Sequence, residues 1–427
     1  MNNETKIEGN AMKSISNILL SILTILLCCC AFFSGINFSW TIIIITCVSI
    51  LFTIVIINSG KIVFNRIYIL WLINALIMFF YSDGFSATII SYNIFYLLFL
   101  FLCMVVTSSA CSIDVSIIPR LLVSFSMISC IIVILEVLLG NRVRSLFTFF
   151  LSGEPLEKQL KAFNNGHGFT GLAANSNVIS YASMIVLCHG LYFCNTKKRI
   201  VKWIIVLFSM ITILIIGERS NLFFIPFSFV VTYVFQYKQK KLNRGIKLLL
   251  FALAIGILFL LIAPYFYRYR TVARIMETIE SFSSGDDISN GRVNAYNSAI
   301  NYWKQSPLIG NKWFYFYNHS YGLIRRESFS HTHNFILELL CDFGVLGFFA
   351  ILSPRAIIYF LNIRALQKAS AESSKFYKFS LTIQTFFFVD SILHIAFYNV
   401  NISLMYYLTV SFFFAFNRKL HFKRYLL

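Results

Sequence analysis

The chain has 427 residues, 58% of them hydrophobic and only 12% charged, with 36 Lys and Arg against 17 Asp and Glu and a formal net charge of +19 at pH 7. Soluble globular chains carry about 25% charged residues, so this composition excludes a water-soluble surface. It also excludes a disordered chain, a coiled coil and a nucleic-acid binder, and leaves a polytopic membrane protein.

Lys6 and Lys13 lead into an apolar run ending near Phe33, which is too long for a signal-peptide core and reads as the first membrane span. A bilayer core needs about 20 apolar residues per helix. Such windows fall near residues 14–33, 38–57, 62–80, 88–106, 117–139, 171–194, 200–217, 219–236, 246–263, 334–353, 376–395 and 397–416. The predicted fold is therefore all-α and polytopic, with about 12 transmembrane helices and a large periplasmic loop before the tenth. Residues 1–263 hold spans one to nine, residues 264–333 form a helical outer loop, and residues 334–427 hold the last three spans and a basic tail. The 10 cysteines lie mostly in apolar runs, as at Cys28, Cys29, Cys30, Cys47, Cys103, Cys130 and Cys188, and read as small hydrophobes, not a disulfide framework.

Lys and Arg are retained on the cytoplasmic side of short loops. With both termini inside, inner segments hold 22 of them and short outer segments hold five, with Arg355 left at the inner end of a span. Most of the net charge is thus topological, and only outer cations are functional clues: Arg142, Arg144, Lys158 and Lys161, then Arg219, then those of the last loop.

Arg219 sits in the four-residue turn Gly217 to Ser220, on the wrong side for topology, with Glu218 available to neutralise it. Residues 264–285 place Arg268, Arg270 and Arg274 among aromatic and aliphatic residues. That pattern fits either a helix lying on headgroups or an amphipathic helix packed on its neighbours. A helix is predicted to open after Asn290 and Gly291 and to stop at Pro307, with Val293, Tyr296, Ile300 and Trp303 as its apolar stripe. Arg292 in its first turn opposes the macrodipole unless an anion sits there or Asp286 or Asp287 pairs with it. His331 and His333 precede an apolar helix with Asn334 as its expected N-cap, and the helix dipole should keep His333 neutral. His-x-His alone is a poor zinc match, so no metal is expected. Glu338, Asp342, Asp390 and His394 are ionisable residues inside spans, and either serve a site or join helices. The Tyr and Trp residues of 311–322 either stack on sugar rings or anchor the loop.

These features together resemble the O-antigen polymerase and O-antigen ligase superfamily: the turn Gly217-Glu218-Arg219-Ser220, the helix opened by Gly291-Arg292 and followed by Ser306-Pro307-Leu308-Ile309-Gly310, and the run from His331 to Gly347 with His333, Asn334, Leu337, Leu340, Gly344 and Gly347. Residues Gly168 to Ile185 resemble the superfamily's approach to a middle span, with Ala174-Asn175-Ser176-Asn177 where a Pro is common. The resemblance implies an inverting glycosyltransferase of the bacterial inner membrane that works at the periplasmic face on glycans carried by undecaprenyl pyrophosphate, without cofactor or metal. It implies His333, Arg219 and Arg292 as catalytic residues. Arg219, Arg292, Arg270, Arg274, His331, Asn334 and Glu338 are the expected substrate-binding set. Partners are the lipid-linked donor and acceptor, the bilayer and a candidate chain-length regulator.

The chemistry fits these side chains independently. Guanidinium groups bind diphosphate oxygens bidentately and stay charged, and a neutral His333 can accept a proton from a sugar hydroxyl. An O-antigen polymerase is the leading reading, because a chain rich in Ile, Phe, Asn, Lys and Tyr fits an AT-rich surface-polysaccharide gene. A ligase moving the polymer to lipid A–core, a capsular polymerase, and a lipid-linked oligosaccharide flippase using Glu338, Asp390 and His394 are the alternatives. Midplane charges typify transporters, whereas the outer cations here gather at the rim.

Overall fold

A computed structural model describes residues 3–36, 40–58, 66–84, 87–107, 114, 116–165, 169–173, 175–194, 199–216, 218, 220–236, 292–319, 331–394 and 396–417. Among them the chain is helical, with no strand and only isolated bridges between Ile36 and Leu151 and between Ser82 and Trp313. The helices are α1 (Asn3–Phe32), α2 (Trp40–Ile57), α3 (Arg66–Phe80), α4 (Ala87–Thr107), α5 (Ile117–Leu139), α6 (Arg144–Phe150), α7 (Gly153–Asn165), α8 (Ser176–Tyr192), α9 (Arg199–Ile216) and α10 (Asn221–Gln236). After the long loop come α11 (Arg292–Gln305), α12 (Tyr315–His319), α13 (Phe335–Lys368), α14 (Ala371–Leu393) and α15 (Val400–Asn417).

Each apolar window read from the sequence coincides with a helix, except 246–263, which lies outside the described residues. Among the described residues, five helices are long and apolar enough to cross a membrane: Ala11–Phe32, Ile89–Thr107, Ile117–Leu139, Arg199–Ile216 and Phe335–Lys368. Shorter apolar helices run over Ile42–Ile57, Ile67–Phe80 and Phe223–Gln236. The described cysteines are free thiols, mostly buried.

Helices α8 and α14 occupy the centre. α8 packs on α5, α9 and α14, and α14 packs on α10, α13 and α15. Enclosed on most sides, these two need no uniformly apolar face, and their buried polar groups pair between helices. Asn221 Nδ2 donates to Ser180 Oγ at 2.7 Å, and the Thr382 hydroxyl meets those of Thr232 at 2.9 Å and Tyr192 at 3.0 Å. Such bonds are worth about 0.6 kcal/mol each in a bilayer. Peripheral helices do the reverse, and α9 turns Ile200, Trp203, Ile204 and Leu207 outward.

Arg355 lies within α13. It is fully buried, with its guanidinium 4.5 Å from the Phe397 ring centroid and 5.3 Å from that of Trp71, and Nη2 donates to Tyr407 Oη at 2.7 Å. A weakly hydrated, delocalised cation on aromatic faces is tolerated in such a core.

α13 is broken at Gly344, whose φ of 62° and ψ of −170° are not helical. The break frees backbone groups for the segment after α11. Asn311 N donates to Cys341 O at 3.0 Å and Lys312 N to Asp342 O at 2.9 Å, while Val345 N donates to Pro307 O and Leu346 N to Leu308 O, both at 3.0 Å. The Ser-Pro-Leu-Ile-Gly motif is thereby fastened to the His-Asn helix.

Candidate active site

The start of α8, the α9–α10 turn, the start of α11, the segment before α13 and the end of α14 meet at one end of the bundle. Asn175 N-caps α8 by accepting from Asn177 N at 3.0 Å, and the Ser176 hydroxyl donates to Glu218 Oε1 at 2.7 Å, tying α8 to the α9–α10 turn. The preceding loop is held by Glu136 of α5, buried, which accepts from Gly171 N at 3.0 Å and from Gln159 Nε2.

Arg292 opens α11, as the sequence predicts, and its Nη1 donates to Leu393 O at 3.1 Å. Leu393 ends α14, so this cation rests on the negative end of another helix, which offsets its unfavourable place in the first turn of α11. The predicted stripe of α11 is corrected by the structure. Val293 is 52% exposed, and the residues that bury are Ala295 and Ala299, packed with Phe316 and Cys341. Small side chains let α11 lie close to α13; the larger ones flank the contact.

The segment before α13 is built from its own polar residues. Asn334 is the N-cap, as expected, accepting from Ile336 N at 3.0 Å and Leu337 N at 3.2 Å. Glu338 turns both oxygens back on the loop, taking Thr332 N at 3.0 Å and the Thr332 hydroxyl at 2.9 Å, with His331 Nδ1 at 2.5 Å. His333, between these anchors, has φ of 55°. A left-handed His is uncommon and costs free energy that the surrounding structure must offset. Burial holds its pKa down to about 4, with Arg292, His394 and His331 adding positive charge nearby. His333 is therefore an uncharged imidazole at pH 7.

On the other side, His394 C-caps α14 with an extended backbone, and its Nδ1 lies 2.6 Å from Asp390 Oδ1. Tyr181 Oη of α8 donates to Asp390 Oδ2 at 3.2 Å. Asp390 and Glu218 place negative charge beside His394, and Arg292 places positive charge beside it. Asp342 is clamped differently, accepting from Phe314 N at 2.9 Å, Tyr398 Oη at 3.0 Å and Phe316 N at 3.3 Å, so that it holds the start of α12.

Of the expected site residues, Arg292, His331, His333, Asn334 and Glu338 come together here, with His394 and Asp390 beside them. Arg219, Arg270 and Arg274, like Arg268, Asp286 and Asp287, lie outside the described residues. Tyr181, Ser176 and Tyr398 were not among the expected site residues, since single hydroxyls within spans are common packing residues. Among the described residues, no group of three or more His, Cys, Asp and Glu is arranged to hold a metal ion.

A protein-family profile described as O-antigen ligase matches residues 203–352. Through that segment the chain is similar to the O-antigen polymerase and ligase superfamily. The match contains Arg219, Arg292 and His333, and ends before Arg355, Asp390 and His394. No curated protein matches the chain. That similarity, with the apolar helices, points to a multi-pass membrane protein of polysaccharide biosynthesis and a glycosyltransferase-like enzyme acting on lipid-linked glycans.

Proposed function

We propose that the protein is an O-antigen polymerase, joining oligosaccharide repeat units carried on undecaprenyl pyrophosphate at the periplasmic face of the inner membrane by inverting glycosyl transfer. The observation that carries this reading is the gathering of Arg292, His333 and His394 at one end of the bundle, in the positive field that holds His333 uncharged.

As the anomeric C–O bond breaks, negative charge grows on the departing diphosphate. Arg292, and Arg219 next to Glu218 in the chain, supply permanently charged bidentate donors for it. An uncharged His333 accepts a hydrogen bond from the attacking sugar hydroxyl, orienting it for back-side attack. Arg270 and Arg274 meet further anionic groups of the lipid-linked substrate, and a chain-length regulator is a candidate partner. The left-handed backbone of His333 supports a functional role, because such strain persists where a side chain must be held in one place.

A ligase reading is favoured by one observation, the O-antigen ligase description of the matching profile. The two readings separate in a deletion strain. Lipopolysaccharide bearing a single repeat unit is the result expected of a lost polymerase. Bare lipid A–core with full-length polymer left on the lipid carrier means a ligase, and lipid-linked units stranded on the cytoplasmic face mean a flippase.

A further inference from the structure

The proton of the acceptor hydroxyl needs a destination. His333, oriented by its loop, is a weak base: burial and the neighbouring Arg292 guanidinium hold its pKa down to about 4, far from the working pH where a general base is most effective. A second imidazole stands beside it in a different setting. His394 Nδ1 is 2.6 Å from Asp390 Oδ1, and Asp390 is itself fixed from α8 by the Tyr181 hydroxyl. A carboxylate on Nδ1 fixes that nitrogen as the N–H donor, leaves Nε2 as the basic nitrogen, and stabilises the imidazolium formed when Nε2 takes a proton. His394 also adjoins Leu393, whose carbonyl holds Arg292, so the group facing the leaving diphosphate and this imidazole are anchored at the same helix end.

We propose that the His394–Asp390 pair, with Tyr181 behind it, is the proton acceptor in glycosyl transfer, while His333 orients the hydroxyl. The inference rests on the transfer reading above. The acceptor O–H bond breaks and its proton passes to His394 Nε2. The oxygen's electron pair forms the new bond to the anomeric carbon as the old bond to the diphosphate breaks, and the lipid diphosphate leaves with that pair. The imidazolium then returns its proton to water. The charged and titratable groups facing His394 are Asp390 on its own helix, Glu218 from the α9–α10 turn, Arg292 from α11 and His333 from the segment before α13. The residues lie beyond the segment matched by the family profile, so the pair is a feature read from this fold.

The test uses full-length protein in lipid nanodiscs, with lipid-linked glycan extracted from a strain lacking the enzyme, and follows single-turnover elongation across pH. His394→Gln and His394→Ala are expected to slow transfer by about 10²–10⁴ with KM within a few-fold, and added imidazole should restore part of the rate to His394→Ala. Because the base must be unprotonated, wild-type activity should fall with acid on one limb of the pH profile. Asp390→Asn removes the charge favouring imidazolium, so its limb should move to lower pH. Full activity in the His394 variants, or loss of activity in His394→Ala without imidazole rescue and with the Asp390→Asn limb unmoved, overturns the proposal while leaving the transfer reading intact. Wild-type protein that does not elongate the glycan overturns both.

Discussion

Gly310 and Gly344 pass backbone against backbone. A Cβ on Gly344 would stand 2.4 Å from the carbonyl carbon of Leu308, and one on Gly310 would stand 2.4 Å from Asp342 O. Both residues have positive φ, 77° at Gly310 and 62° at Gly344. The obstructing atoms are main-chain atoms of the ladder that ties residues 307–312 to α13, so neither side can yield. Gly310→Ala and Gly344→Ala should each lower stability by more than about 1–3 kcal/mol, the cost of a strained backbone position, read as a lower melting temperature in detergent. The double variant should lose less than the sum, since one contact is broken twice.

Asp342 joins three donors from two elements: Phe314 N, Phe316 N and Tyr398 Oη. Asp342→Ala leaves these buried donors unsatisfied, each at about 1–3 kcal/mol, and should destabilise the protein strongly. Asp342→Asn retains acceptor capacity and should cost much less. Thermal unfolding of the pair checks this, and equal losses would mean that volume and not hydrogen bonding sets the cost.

His333 is held neutral, and the sign of its pH effect follows. In the unfolded chain an ordinary His protonates near about 6.5; in the fold this one resists until about 4. The unfolded state therefore binds the extra proton first as pH falls through that window, and stability declines with acid. Above the window the group contributes no pH dependence. Arg292→Gln removes one of the charges opposing protonation and should raise the His333 pKa, measurable by NMR of labelled histidine. An unmoved titration would mean that the guanidinium does not face the ring.

Much of this arrangement was legible in the sequence because it follows from hydropathy and helix ends. The apolar windows within the described residues fall on helices, Asn334 caps α13, and Arg292 opens α11. What was hidden depends on packing between distant segments. Residues 334–353 read as one uninterrupted apolar helix, because a glycine break has no hydropathy signature, yet the chain parts at Gly344 to receive Pro307 and Leu308. The buried face of α11 follows Ala295 and Ala299, small residues that a search for large apolar side chains passes over. Asp390 and His394 stand at helical spacing, but only the fold brings Tyr181 to one and Arg292 beside the other.

The most direct test is the transfer rate itself, in proteoliposomes supplied with glycan still on its lipid diphosphate. Arg219→Ala, Arg292→Ala and His333→Asn, the last chosen because Asn tolerates the left-handed backbone, should each lower the rate of glycan extension by about 10²–10³ with melting temperatures near that of the parent protein. Undiminished extension by the Arg292 and His333 variants would contradict the assignment of these residues to the reaction.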